Sequence, residues 1–365
     1  MIRKPVVILL ALISACTSSA SDNPFKVTAL AEFDEPWAMA FLPDGRLLVT
    51  EKKGRLLVVS MDDGAAVAVN NVPTVDYGGQ GGFGDVVLHP DFADNRKIYL
   101  SYVESGDDDT RGAIVVCAIL DLTAGSESLS DIAVVWRQHP KVTGRGHYGH
   151  RLLFSEDGKL FISSGDRQKF DPAQDMNANL GKILRLNDDG SVPADNPFAE
   201  RGGIAAQIWS LGHRNPLGIA FDPDGQLWNV EMGPRGGDEL NRVLRGANYG
   251  YPIVSNGRHY SGKDIPDHDT RPEFEAPKTW WTPVISPGGF MIYSGKLFSD
   301  WHGDGFIAGL SGQALVRIEF DGENAREAER FPMGNRIRAV KQGPDGAIWL
   351  LEDSAGARLL KLTPR

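Results

Sequence analysis

Gly218-Ile-Ala-Phe-Asp-Pro-Asp-Gly-Gln-Leu-Trp-Asn-Val230 reads as two short apolar strands joined by a Pro-Asp-Gly turn. Proline presets the backbone of the turn, and glycine takes the positive φ that lets the chain double back as a hairpin. The same unit returns as Ala38-Met-Ala-Phe-Leu-Pro-Asp-Gly-Arg-Leu-Leu-Val-Thr50, as Leu152-Leu-Phe-Ser-Glu-Asp-Gly-Lys-Leu-Phe-Ile-Ser163 and as Ala339-Val-Lys-Gln-Gly-Pro-Asp-Gly-Ala-Ile-Trp-Leu350. A stretched copy, Val86-Val-Leu-His-Pro-Asp-Phe-Ala-Asp-Asn-Arg-Lys-Ile-Tyr99, carries a longer hairpin loop, and a degenerate sixth falls within 288–309. The turns near Asp44, Asp91, Asp157, Asp224, Asp304 and Asp345 lie about 40 to 80 residues apart, room for one four-stranded sheet each. One such sheet cannot bury its own faces. Six of them predict an all-β fold, a six-bladed β-propeller of four-stranded antiparallel sheets. A pair of β-sandwiches is the competing reading, but it has no need of the same hairpin so many times.

Composition narrows the partners. With 38 Lys+Arg against 48 Asp+Glu the 365-residue chain carries a net charge of −10, which argues against nucleic acid or an anionic membrane surface. At the N-terminus, Arg3 and Lys4 precede an apolar run from Val6 to Ile13 that is too short to span a bilayer. The run ends in Ile13-Ser-Ala-Cys16, which resembles a bacterial lipobox. The expected organisation is a signal peptide over 1–15, a lipid-bearing Cys16, a flexible tether over 16–27 and one propeller domain over 28–365. The expected location is the periplasm, with the lipid on Cys16 anchoring the chain to the outer membrane. Cys117 is then the one remaining cysteine; it reads as a small core residue, and no intrachain disulfide is available.

The loops between strands carry the chemistry. Gly144-Arg-Gly-His-Tyr-Gly-His-Arg151 and Leu211-Gly-His-Arg-Asn-Pro216 each enter a repeat strand, and Glu231-Met-Gly-Pro-Arg-Gly-Gly-Asp-Glu-Leu-Asn241 leaves one. With Gly78-Gly-Gln-Gly-Gly82 and Asn335-Arg-Ile-Arg338 they concentrate Arg, His and Gly. Loops at one end of a propeller channel converge, so these residues can meet. Arg336 and Arg338 alternate around Ile337 and point the same way on a strand. Several arginines in one pocket suit a polyanion, a nearby histidine can act as a base near neutral pH, and Asp238 and Glu239 offer hard oxygen ligands suited to calcium. His89, His139, His259, His268 and His302 read as structural or exposed, and Trp280 and Trp281 as packing residues more readily than as a sugar platform.

Taken jointly, Glu35-Pro-Trp-Ala-Met-Ala-Phe, Gly79-Gln-Gly-Gly-Phe-Gly-Asp, Gly212-His-Arg-Asn-Pro216, Glu231-Met-Gly-Pro-Arg-Gly-Gly-Asp-Glu-Leu-Asn241 and Gly246-Ala-Asn-Tyr-Gly-Tyr-Pro252 resemble the soluble PQQ-dependent aldose sugar dehydrogenases, over roughly residues 28–363. The resemblance implies the same six-bladed fold and a hydride-transfer enzyme. It would turn aldose sugars into aldonolactones with PQQ and Ca2+ as cofactors and an external electron acceptor. It places His147 as catalytic base, Asp166 as the acid that orients it, and Arg214 and Asn215 over the quinone. Gln80, Tyr260, Arg336 and Arg338 fall at cofactor contacts. Gly233 and Pro234 fall at backbone carbonyl ligands of one calcium, and Glu239 and Tyr249 at a second. Ser311 stands where the family has a lysine facing the cofactor. A non-catalytic propeller binding module and a calcium-dependent lactonase are the other classes; a pure scaffold has no reason to keep the His147, Arg214, Asn215 and Arg-x-Arg set.

Overall fold

The computed structural model describes residues 23–365. The expected signal peptide over 1–15, Cys16 and most of the expected tether lie outside them. Six four-stranded antiparallel sheets account for the strands, five of them built from consecutive strands at 36–68, 83–137, 149–211, 216–281 and 287–332. The sixth combines three C-terminal strands with the first strand of the chain, in the order Phe25–Asp34, Ala355–Pro364, Ile348–Glu352, Ile337–Gln342. The innermost strands of the six sheets contact one another in cyclic order, which closes a six-bladed β-propeller. The N-terminal strand runs antiparallel to Ala355–Pro364, from Phe25 opposite Pro364 to Asp34 opposite Ala355. The propeller therefore begins three residues before the expected boundary at 28, because Phe25 is a buried residue of the closing blade.

Burial explains why the hairpins read as they do. The second strands Leu47–Glu51, Leu160–Ser164, Leu227–Glu231 and Ile348–Glu352 are buried at every residue, because blades pack on both of their faces. Their sequences are accordingly continuous runs and not alternations. The outermost strands Ala66–Ala68 and Ser128–Arg137 are largely exposed. The expected turn geometry is present, with φ of 88° at Gly45 and 79° at Gly225. The longer loop of the stretched copy is a short helical turn, Phe92–Asn95.

One feature recurs in all six blades. Each innermost strand shifts register at its start, between Pro36 and Ala38, Phe83 and Val86, Gly149 and Leu152, Pro216 and Gly218, Pro287 and Gly289, and Ile337 and Ala339. A bulge re-aims the side chains it inserts. Trp37, His150, Leu217 and Arg338 stand at these shifts, and all four line one cavity at the mouth of the channel.

Candidate active site

His147 lies in the loop that enters the third blade, with a left-handed φ of 50°. Its backbone N–H donates to Gln80 Oε1 at 2.7 Å, and its ring Nδ1 lies 2.7 Å from Asp166 Oδ1. Both His147 and Asp166 are buried. A carboxylate only accepts, so Nδ1 carries the proton and Nε2 keeps a free lone pair. Burial lowers the pKa of His147, the Asp166 bond opposes this, and Arg214 lowers it further.

The loop is clamped by groups that carried no role in the sequence reading. Arg167 donates to the carbonyls of Gly146 at 2.9 Å and Gly144 at 2.5 Å, and its guanidinium lies 3.7 Å from the Tyr148 ring centre. Gly165 is needed where its loop passes the His147 loop, since a Cβ there would sit 2.2 Å from the His147 carbonyl oxygen. Lys182 is buried and donates to the carbonyls of Pro172, Ala173 and Leu180, fixing the turn that follows Phe170.

Arg214 and Asn215 come from the next inter-blade loop. Glu231 holds it, accepting from the Arg214 backbone N–H at 2.7 Å and from His213 Nδ1 at 3.2 Å. Glu231 opens the Glu231-Met-Gly-Pro run, which was its only signal in the sequence. Asn215 Oδ1 accepts from the Gly149 backbone, tying this loop to that of His147. Arg214 Nη1 donates to the carbonyls of Met232 at 2.8 Å and Gly233 at 2.5 Å, while its buried Nε has no partner.

Two cavities open on these loops. One, of about 200 Å³, is lined by His147, Gln168, Phe170, Arg214, Pro234, Tyr251, His259 and Tyr260. The other, of about 240 Å³, is lined by Gln80, Asn215, Arg336, Arg338, Lys52 and Glu35 among others. Its floor is layered: Trp37 lies between the His150 ring at 4.9 Å and the Arg151 guanidinium at 3.7 Å. His150 Nδ1 is 2.9 Å from Ser101 Oγ, and its ring fills the space that a Cβ at Gly84 would need. Arg336 and Arg338 point the same way, as their alternation predicts, and both bond Asp353, at 2.8 and 2.7 Å.

The remaining predicted residues divide. Tyr260 is 74% exposed and stands at the rim of the His147 cavity, about 6.0 Å from the Arg214 guanidinium. His259, read as structural or exposed, lines the same cavity. Ser311 lines neither cavity; its hydroxyl is bonded to Ser286 Oγ at 2.7 Å. Trp281 is a packing residue bonded to Glu327, and Trp280 lies on the rim of a separate surface depression. Glu239 is buried opposite Glu231 in the strand register, and burial with that neighbouring carboxylate raises its pKa well above the usual range. Tyr249 stacks on His213, and its backbone carbonyl accepts from His268 Nε2 at 3.1 Å. Asp238 serves as a clamp: its carboxylate accepts from the backbone N–H groups of Gly233, Ile285 and Ser286. Among the described residues no group of three or more His, Cys, Asp or Glu side chains is placed to hold a metal ion.

A base–carboxylate pair and an arginine-lined cavity thus stand at the mouth of this six-bladed propeller. The family model described as glucose/sorbosone dehydrogenase matches residues 33–361. This chain belongs to the glucose/sorbosone dehydrogenase family. The aldose sugar dehydrogenase YliI of Escherichia coli is 39% identical over 340 residues, covering 92% of this chain and 91% of that protein. The crystal structure of the soluble aldose sugar dehydrogenase from Escherichia coli in its apo form superposes with a TM-score of 0.87 at 39% identity, over 93% of this chain and 100% of that one. The PQQ-bound aldose sugar dehydrogenase of Streptomyces coelicolor follows at a TM-score of 0.79 and 27% identity, over 94% and 99%. As a member of the glucose/sorbosone dehydrogenase family the chain is an oxidoreductase, and the match takes in all six blades.

Proposed function

We propose that this enzyme oxidises aldose sugars at the anomeric carbon to aldonolactones, with PQQ and calcium as cofactors, and passes the electrons to an external acceptor. The observation that carries the reading is His147, held by Asp166 at 2.7 Å and lining a cavity together with Arg214. The donor set suits an anionic quinone: Arg336 and Arg338 present guanidinium forks beside Gln80, and Arg214 Nε is buried and unpartnered. When bound, PQQ supplies the two-electron acceptor for the hydrogen at C1. The chain's own part is to orient the sugar and move a proton. His147 is neutral at neutral pH because burial disfavours the imidazolium, so Nε2 is ready to take the proton of the anomeric hydroxyl. Asp166 stabilises the imidazolium that forms and keeps the ring in the one useful tautomer. Arg214, which adds to burial in keeping His147 unprotonated at rest, would offer its positive charge to the negative charge that the hydrogen acceptor gains.

Calcium would be held by the carbonyls of Gly233 and Pro234, and a second ion by Glu239 with Tyr249. The fit at Glu239 rests on two buried carboxylates facing each other, a repulsion that a divalent cation relieves. At Gly233 the carbonyl accepts from the Arg214 guanidinium, so calcium there would have to share or displace that contact.

The lipobox extends this reading to an exported protein, anchored through Cys16 to the outer membrane on its periplasmic side. Loss of fatty-acid labelling in Cys16→Ser tests that part. The test of the activity is to add PQQ and calcium to purified apoprotein and follow glucose-dependent reduction of an artificial dye. A folded protein that neither reduces the dye nor binds PQQ would overturn the proposal.

A further inference from the structure

We infer that Lys52 is a further cofactor contact, an ammonium that receives a carboxylate of the anionic quinone alongside the Arg336–Arg338 pair. The inference rests on the function proposed above and adds to it a residue that the motifs did not single out. Lys52 follows the second strand of the first blade. Its backbone is held from two sides, donating to the Glu35 carbonyl at 3.0 Å and accepting from the Phe83 N–H at 2.8 Å. The side chain lines the same cavity as Gln80, Arg336 and Arg338, and Nζ donates to the Gly79 carbonyl at 3.1 Å.

Its electrostatic situation differs from that of the two arginines. Arg336 and Arg338 are both bonded to Asp353, whereas Lys52 has no carboxylate within 4.0 Å among the described residues. Glu35, the other acid of this cavity, accepts the Tyr77 hydroxyl at 2.6 Å. An ammonium offers three N–H donors, so with one on Gly79 two remain for a ligand. Burial draws the pKa of Lys52 down, only partly offset by Glu35, and an incoming carboxylate would reverse that cost. Ser311 is bonded to Ser286, lines neither cavity and contributes no charge to either. Lys52 is therefore the cation free to complete the anion site.

The test uses PQQ itself as probe, titrated into purified full-length apoprotein with calcium and followed by calorimetry and by the quinone's absorbance. Wild type, Lys52→Met and Lys52→Arg are compared at low and moderate salt. Lys52→Met should weaken PQQ binding about ten- to a hundredfold, the loss expected for one charge-assisted hydrogen bond, and should flatten its salt dependence. Lys52→Arg should stay within about threefold of wild type, since it keeps the charge, and both variants should melt as wild type does. Wild-type affinity in Lys52→Met would overturn the inference while leaving the PQQ reading intact. Equal weakening in Lys52→Met and Lys52→Arg would also overturn it, because lost charge is then not the cause. If wild type itself binds no PQQ, the proposed function fails and this inference fails with it.

Discussion

At the scale of single residues, burial tunes two histidines three residues apart for different ends. His147 faces the cavity with its Nε2 free and its Nδ1 on Asp166. His147→Ala should lower turnover by roughly 10²–10⁴-fold, the usual scale for a lost general base, while PQQ still binds. Because burial lowers its pKa, the acid limb of kcat/KM should lie below that expected for a solvent-exposed histidine. A fall centred above 6.5 would exclude His147 as the base. His150 is buried on Trp37, and its pKa is pushed down to about 3 by burial and Arg151. The unfolded chain then takes this proton first, so the stability due to neutral His150 is complete above 6.5 and is lost as pH falls toward 3. At pH 4.5 the loss is roughly 2–3 kcal/mol, so urea midpoints at pH 7 and 4.5 should differ less in His150→Gln than in wild type. Equal differences in the two proteins would refute this. His147 was legible from its glycine-rich loop and the family pattern. The part played by His150 was not, since it depends on Trp37 and Gly84, more than sixty residues away in the chain.

Elements meet at the site through backbone bonds, and small changes in them reach the chemistry. Gly165 leaves room for the His147 carbonyl, so Gly165→Ala must push the two loops apart. Overpacking of this kind costs about 1–3 kcal/mol. Turnover should fall at least about tenfold with it, since misplaced catalytic groups lose rate steeply; a variant with wild-type kcat would show that the loop relaxes elsewhere. The segment from Glu231 to Tyr249 binds Arg214 through Glu231 and reaches the fifth blade through Asp238. With calcium on this segment, a chelator should abolish activity of the reconstituted enzyme and lower its melting temperature, because a site absent in the unfolded chain adds its binding energy to folding. An unchanged melt and retained activity would remove calcium from the account. The sequence singled out this segment, yet it could not show that Asp238 is committed to three backbone N–H groups while Glu239 is left facing Glu231.

For the whole molecule, ring closure depends on the N-terminal strand. Phe25 is buried against Phe298, Trp301 and Phe331, with edge-on ring contacts of 5.0 to 5.7 Å. Phe25→Ala should therefore cost about 3–5 kcal/mol of stability. It should leave kcat of the folded fraction within about twofold, because the contact lies on an outer strand, away from the cavities. Chemical denaturation with parallel kinetics checks both. A variant as stable as wild type would mean that the ring does not rely on this strand.

What the sequence determined by itself was the set of local signals. Each Pro-Asp-Gly hairpin is written in a dozen contiguous residues, so the number of blades and their all-β character were readable without long-range contacts. The alternation around Ile337 likewise predicted that Arg336 and Arg338 point the same way, and both bond Asp353. Only tertiary structure decided what the bulges at the starts of the six inner strands bring to one floor. Trp37, His150, Leu217 and Arg338 belong to four different blades, and no local pattern relates them. Closure of the ring also decided that Lys52 enters the cavity while Ser311 turns to Ser286, and that Arg214 meets the Gly233 carbonyl. The physical reason is that hairpins form from neighbours along the chain, whereas a site at a channel mouth forms only when blades from both ends of the chain have packed against each other.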